Sequence, residues 1–129
     1  MKKVLIVEDD KKIVMALTVR LKAAGYEVIT AFDAVMAGSM AVKHRPDLVL
    51  LDISMPGGNG FIVAERLQNS SVTAGVPMIF LTASKQPGMR QKAQELGAVA
   101  FFEKPYVAEE LLAAIQMAFG ASETQPVGN

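Results

Sequence analysis

The chain has 129 residues, of which 51% are apolar, and its 13 basic residues balance its 13 acidic ones. This length fits one domain, and the apolar content supports a full core, which argues against global disorder. The chain contains no Cys, so disulfides, zinc–thiolate sites and thiol chemistry are excluded. A neutral balance argues against direct nucleic-acid binding, which usually shows a basic excess. With neither a membrane-length apolar run nor a signal peptide in the sequence, we expect a soluble, cytoplasmic protein.

Five short apolar runs alternate with longer segments of helical period. Three of the runs are apolar almost throughout, as expected for parallel strands that are covered on both faces. The second run is only weakly patterned, which suits an edge strand. The predicted strands are residues 4–7, 27–31, 48–51, 77–81 and 99–102.

Amphipathic segments between these runs predict five helices. The first ends where Gly25 can adopt the left-handed conformation, and the second begins after the N-cap Asp33 and ends before Pro46. Regular β–α alternation predicts a doubly wound α/β domain with a five-stranded parallel sheet, for which the order 2-1-3-4-5 is common. Further apolar stripes and end signals are Ile13, Leu17 and Leu21 in the first helix, Phe61, Ala64 and Leu67 in the third, Leu96–Gly97 in the fourth, and Leu111, Leu112, Ile115 and Phe119 in the fifth.

Acidic residues stand at the ends of two of the predicted strands. Glu8 and Asp9 follow the first strand, and Asp52 follows the third. In the order 2-1-3-4-5 these strands are neighbours at the switch point, where ligands bind in open α/β sheets. Two like charges about 4 Å apart repel by roughly 4 kcal/mol at an effective dielectric near 20, so such a cluster needs a cation or a proton. Because no Cys or suitable His is near, a hard ion with oxygen ligands is indicated, and Mg²⁺ fits best.

The same edge of the predicted sheet collects a hydroxyl and an ammonium group. Thr82 ends the fourth strand, and Lys104 follows the fifth. Carboxylates around Mg²⁺, together with a Lys and a Thr, form a clamp for a phosphoryl group. One carboxylate can act as the nucleophile and form an aspartyl phosphate.

These residues, with the segment Met-Pro-Gly-Gly-Asn-Gly at 55–60, resemble the receiver domain of two-component response regulators, which has the flavodoxin-like, CheY-like fold. The motifs are weak singly and specific when all five stand in order at the strand ends. The resemblance covers nearly the whole chain, so we expect a receiver domain over residues 1–120. Residues 121–129 are then a disordered tail or the start of a linker. Asn59 departs from the family, in which this position is often Asp.

The resemblance implies the phosphoacceptor and the metal ligands. Asp52 would accept a phosphoryl group from a histidine kinase or a histidine phosphotransfer protein, with Mg²⁺ as cofactor. Asp9 would bind the metal directly, and Glu8 would bind it mainly through water. Asp52 and the backbone carbonyl of Ser54 would be further metal ligands. Such a domain catalyses its own phosphorylation and dephosphorylation, but it is not a turnover enzyme on a separate substrate.

The resemblance also implies a switch. Lys104 would pair with the acceptor or the phosphate, Thr82 would be the switch hydroxyl, and Phe101 the switch aromatic. The bond from Lys104 to Pro105 is cis in the family. The switch would act on the face formed by the fourth helix, fifth strand and fifth helix, and a phosphorylation-dependent homodimer is compatible with it. The output domain or target protein stays open, as does whether the chain stands alone or is the front of a longer protein.

Several of these residues also have an ordinary structural interpretation. Asp9 fits an N-cap of the first helix, and Asp10 is better read as a cap or a solvated acid than as a ligand. Thr82 fits an ordinary β-branched strand residue. Phe101 is equally well explained as core packing, and it lacks the hydroxyl of a Tyr.

Three other functions compete with a phosphorylated receiver. An interaction module that is not phosphorylated could keep the fold, but the complete acid–Thr–Lys set argues against it. A haloacid-dehalogenase-like hydrolase has a second Asp two residues after its nucleophile, where this chain has Ser54. A flavin-binding flavodoxin-like protein needs a phosphate-cradling loop after the first strand, where the acids at 8–10 would repel the cofactor.

Overall fold

A computed structural model describes residues 1–54 and 60–123. Strands and helices alternate along the chain, and the five strands form one parallel sheet in the order β2-β1-β3-β4-β5, as predicted. The elements are β1 (Lys3–Val7), α1 (Lys11–Ala23), β2 (Glu27–Ala31), α2 (Ala34–His44), β3 (Leu48–Asp52), α3 (Gly60–Asn69), β4 (Met78–Thr82), α4 (Met89–Glu95), β5 (Ala100–Glu103) and α5 (Ala108–Glu123).

Two apolar cores lie on opposite faces of the sheet. Side chains alternate along a strand, so Leu5 of β1 joins the core under α2, α3 and α4, whereas Ile6 joins the core under α1 and α5. Every residue of β3 and β4 is buried because both strands are central and covered on both faces. Strand β2 lies at an edge and exposes Glu27, as its weak pattern predicted.

Local signals set several helix boundaries as predicted. The Asp10 carboxylate accepts a hydrogen bond from the Lys12 backbone N–H at 2.9 Å and so caps α1, which confirms the interpretation of Asp10 as a cap. Asp33 caps α2 in the same way through the N–H of Met36, at 2.8 Å. Gly25 follows α1 with a φ of +94°, a conformation that glycine adopts at little cost.

The fifth helix continues into the segment that we expected to be a tail or a linker. It extends to Glu123, three residues beyond the predicted domain end at 120. Ala, Ser and Glu at 121–123 all tolerate a helix, so no strong stop signal acts there. The rest of the predicted tail and the motif segment at 55–59, including Asn59, lie outside the described residues. Among the described helices, none has the length and apolar composition needed to cross a bilayer.

Gly60 brings the start of α3 against the end of β3. A Cβ atom at Gly60 would lie 2.4 Å from the Cα of Ile53 and 2.9 Å from the backbone oxygen of Asp52. These are backbone atoms that cannot move aside, so only glycine fits this position. The close approach holds α3 directly beside the strand that carries Asp52.

Candidate functional site

The candidate site lies at the carboxyl edge of the sheet, where four strands end. Glu8 follows β1, Asp52 is the last residue of β3, Thr82 is the last residue of β4, and Lys104 follows β5. Strands β1 and β3 are adjacent, so two acids that are far apart in sequence become neighbours. The topology therefore brings together the residues that the sequence placed at this edge.

Three carboxylates form a compact cluster of oxygen donors. Glu8, Asp9 and Asp52 each offer a carboxylate oxygen, and these oxygens all lie within 4.8 Å of one another. Glu8 is 1% exposed and Asp52 is 2% exposed, whereas Asp9 is open to solvent. An all-oxygen donor set with one accessible side is what a hard divalent cation such as Mg²⁺ prefers, since that ion keeps several water ligands. The residues present thus fit Mg²⁺.

Lys104 is the cation that faces this cluster. Its Nζ donates to Oε1 of Glu8 at 2.7 Å and to Oδ2 of Asp52 at 3.2 Å. The resemblance implied a pairing of Lys104 with the acceptor acid or the phosphate, and the structure adds a shorter contact with Glu8. One ammonium group therefore serves two buried carboxylates, which leaves the site short of positive charge. The Lys104–Pro105 peptide bond is cis, in agreement with the resemblance.

Burial, neighbouring charges and hydrogen bonds shift the pKa values of Glu8 and Lys104. Burial, with a smaller contribution from the nearby Asp52, raises the pKa of Glu8 to about 7, although hydrogen bonds from Lys104 and the Asp10 N–H oppose the shift. Burial alone would lower the pKa of Lys104, but its hydrogen bond to Glu8 and the negative charges of Asp52 and Glu8 outweigh burial and raise it. Lys104 therefore stays charged, whereas ionisation of Glu8 costs substantial free energy.

The Asp52 carboxylate is held at both oxygens. Oδ1 accepts a hydrogen bond from the Ser54 backbone N–H at 2.8 Å, and Oδ2 faces Lys104. The Ile53 N–H donates to the carbonyl of Leu81 at 2.9 Å, which ties the chain after β3 to β4. The carboxylate thus has a defined orientation before any reaction. The predicted role of the Ser54 carbonyl as a metal ligand stays a prediction.

Thr82 is fully buried and its hydroxyl is already engaged. Its Oγ1 lies 2.8 Å from Oγ of Ser54 and accepts a hydrogen bond from the Ser84 N–H at 2.9 Å. The sequence pointed to this hydroxyl but not to its Ser54 partner. The available signal was a small polar residue two positions after the acceptor acid, which alone does not identify a hydrogen bond.

Phe101 lies on the same face of the sheet as Thr82. Strand pairing places Phe101 opposite Phe80 and Glu103 opposite Thr82, and side chains alternate along β5. The Phe101 ring is half-buried and packs against the core under α2, α3 and α4. This position is compatible with both the switching and the packing interpretations, so the switch role remains a prediction.

A family model described as the response regulator receiver domain matches residues 4–116. The chain is 35% identical over 116 residues to the DNA-binding dual master transcriptional regulator RpaA of Synechocystis sp., covering 90% of this chain and 48% of that protein. It is 36% identical over 115 residues to the phosphate regulon transcriptional regulatory protein PhoB of Pseudomonas aeruginosa, covering 89% and 50%. The chain therefore spans about half the length of these curated relatives. The structure of chemotaxis protein CheY4 of Vibrio cholerae matches with a TM-score of 0.84 at 34% identity, covering 91% and 98%.

Proposed function

Because the chain belongs to the response regulator receiver domain family, and so acts in phosphorylation-dependent signalling, we propose that Asp52 is its phosphoacceptor. The observation that carries this assignment is the buried Asp52 carboxylate, which lies in an acid cluster and contacts Lys104 at 3.2 Å. Membership of this family also argues against the hydrolase and the flavodoxin functions considered from the sequence. Receiver domains are signalling modules, and self-catalysed phosphorylation and dephosphorylation belong to this proposal.

Receiver domains bind Mg²⁺ at an acidic cluster, and we assign the ligands here to four residues. Glu8, Asp9 and Asp52 would supply carboxylate oxygens, with Asp9 binding directly and Glu8 mainly through water, and Ser54 would supply its carbonyl. When bound, the ion would neutralise negative charge on the phosphoryl oxygens during transfer. The exposed side of Asp9 gives the ion and its water ligands access to the cluster.

The transfer step assigns a distinct task to each side chain. An Asp52 carboxylate oxygen attacks the phosphorus of a phosphohistidine on the donor protein, so an O–P bond forms as the P–N bond breaks. The departing imidazole nitrogen keeps the electron pair of the broken bond, and the proton balance is completed from solvent. The Ser54 N–H holds the carboxylate in orientation, and Lys104 turns from Asp52 towards the incoming phosphoryl oxygens.

The phosphorylated state would be read through Thr82 and Phe101. The Thr82 hydroxyl leaves Ser54 and donates to a phosphoryl oxygen, and Phe101 moves into the vacated space. Driving such an equilibrium from 1:99 to 99:1 takes roughly 5.5 kcal/mol, and hydrogen bonds to a charged group contribute about 1.5–3 kcal/mol each. About two to four such bonds therefore suffice to switch the face formed by α4, β5 and α5.

The proposed partners follow from this chemistry. A histidine kinase or histidine phosphotransfer protein in the cytoplasm would donate the phosphoryl group. The switched face would contact an output domain or target protein, or a second copy of the chain in a phosphorylation-dependent homodimer. RpaA is a DNA-binding regulator, but the neutral charge of the present chain argues against direct contact with nucleic acid.

The phosphoacceptor is tested by mass spectrometry after incubation with Mg²⁺ and acetyl phosphate. We expect one base-labile phosphate on Asp52 and none in Asp52→Asn. Asp10→Asn is the matched control, because it removes a neighbouring acid outside the cluster while Asn preserves the helix cap. A phosphate on another residue, or no phosphate while Mg²⁺ binds, would contradict the assignment.

A further inference from the structure

The ring of Phe101 is covered by a cation from the neighbouring helix. The guanidinium carbon of Arg90 lies 4.8 Å from the ring centroid, within the range of a cation–π contact. Arg90 is the second residue of α4 and is otherwise exposed. Among residues 1–54 and 60–120, no carboxylate lies within ion-pair distance of this guanidinium, so its electrostatic contact there is with the face of the ring.

The ring is not tightly enclosed where it meets α4. A groove of about 190 Å³ runs along the boundary between α4 and β5, and its lining includes Gln94, Ala98 and Phe101 itself. A half-buried ring beside open space is not fixed by packing alone. Since Phe101 has no hydroxyl, it also has no hydrogen bond that could fix its position. The contact with Arg90 therefore adds a specific interaction to the packing of the ring against the core.

Helix α4 itself is lightly attached to the domain. It has seven residues, of which only Ala93 is buried, and Met89 packs partly buried against the core. Two cation–π contacts join its charged side chains to the rest of the fold: Arg90 to Phe101, and Lys92 to Phe61 at 5.0 Å. The two contacts are of the same kind, but only the first involves an aromatic residue of β5, on the same face of the sheet as Thr82.

We propose that Arg90 is a positioning residue that holds Phe101 in its resting position and so sets the threshold of the switch. This inference rests on the proposed roles of Thr82 and Phe101. The guanidinium stabilises the ring only where the two are stacked, so movement of the ring towards Thr82 breaks the contact. The position of the Phe101 ring near Thr82 is thereby disfavoured until the Thr82 hydroxyl forms its hydrogen bond with the phosphoryl group.

The effect is measurable as a change in the ligand concentration that drives the switch. A cation–π contact at an exposed site corresponds to about a two- to fivefold change in an equilibrium constant. We therefore expect Arg90→Gln to lower the midpoint concentration of beryllofluoride, an acyl-phosphate mimic, by about two- to fivefold at fixed Mg²⁺. Phe101 is followed by ¹⁹F NMR in protein labelled with fluorophenylalanine, and the Phe101→Leu spectrum assigns its resonance.

Two variants separate positioning from general loosening of the helix. Arg90→Lys keeps a cation over the ring and should restore the wild-type midpoint. Lys92→Gln removes the matched contact on the same helix and should leave the midpoint unchanged. An unchanged midpoint in Arg90→Gln, or an equal drop in Lys92→Gln, would overturn the inference.

The same titration separates this inference from the proposed function. A beryllofluoride adduct on Asp52 that leaves the Phe101 resonance unmoved would overturn the role of Arg90 and leave the phosphoacceptor intact. Failure of any adduct to form on Asp52, with Mg²⁺ bound, would overturn the proposed function and this inference with it.

Discussion

The ammonium of Lys104 lies closer to Glu8 than to the proposed acceptor Asp52, at 2.7 Å against 3.2 Å. Lys104 thus mainly balances Glu8, which is almost fully buried. Binding of a divalent cation would relieve Lys104 of part of this task. Under the proposed function, the ammonium would then be free to move towards the phosphoryl group, and the same side chain would serve both the resting and the phosphorylated states.

The metal-free domain should lose stability as the pH rises from about 5 to about 7. The folded-state pKa of Glu8 is about 7, above its ordinary value of 4.5, so in this window the folded state binds a proton that the unfolded state has lost. Stability therefore falls with pH, by up to about 3 kcal/mol in total. Urea unfolding at several pH values measures it. Glu8→Gln should flatten the profile, and an unchanged slope in that variant would contradict the assignment.

Replacing Lys104 by Met should destabilise the metal-free domain strongly. The variant leaves two buried carboxylates without their cation, which costs about 3 kcal/mol or more at pH 8. The loss should be smaller at pH 5, where Glu8 is protonated. Thermal unfolding of Lys104→Met is compared with that of Lys22→Met, which removes an exposed lysine of α1. Equal melting temperatures for the two variants would show that Lys104 does not stabilise the domain through these two carboxylates.

Thr82→Ala should accept phosphate and yet respond weakly to it. The substitution removes the hydroxyl that would donate to the phosphoryl group, but it leaves the backbone carbonyl that accepts from the Lys104 N–H at 2.7 Å. Mass spectrometry measures phosphorylation, and backbone NMR shifts across α4, β5 and α5 measure the response. Thr82→Ser is the control that keeps the hydroxyl. A full response in Thr82→Ala would remove Thr82 from the switch.

Gly60→Ala should destabilise the domain by about 1–3 kcal/mol or more, because the new methyl group would meet the Ile53 backbone. Gly38→Ala is the matched control. Gly38 lies inside α2 with nothing near its Cβ position, so alanine there should stabilise the domain by up to about 1 kcal/mol. Chemical denaturation of both variants measures the difference. Equal effects at the two positions would mean that α3 can withdraw from β3 without cost.

Much of the fold was predictable because its signals are local or periodic. Continuous apolar runs marked the central strands, and Asp33 with Gly25 marked helix ends through side-chain and backbone preferences that act over a few residues. The edge location of β2 was also correctly predicted. The sequence did not predict where α5 ends, because the segment after residue 120 is polar and has no apolar period, and the helix continues to Glu123.

The sequence by itself determined the α/β alternation and placed the acids, Thr82 and Lys104 at strand ends, because strand and helix periods and the parallel-sheet edge rule depend on residue type and order. Only the tertiary structure decided which side chains touch. Lys104 meets Glu8 across 96 positions of sequence, and Ser54 meets Thr82 across 28. Such contacts depend on strand register, burial and rotamer choice together, and their energies change steeply over fractions of an ångström. No local sequence pattern encodes the distance between two side chains so far apart in the chain.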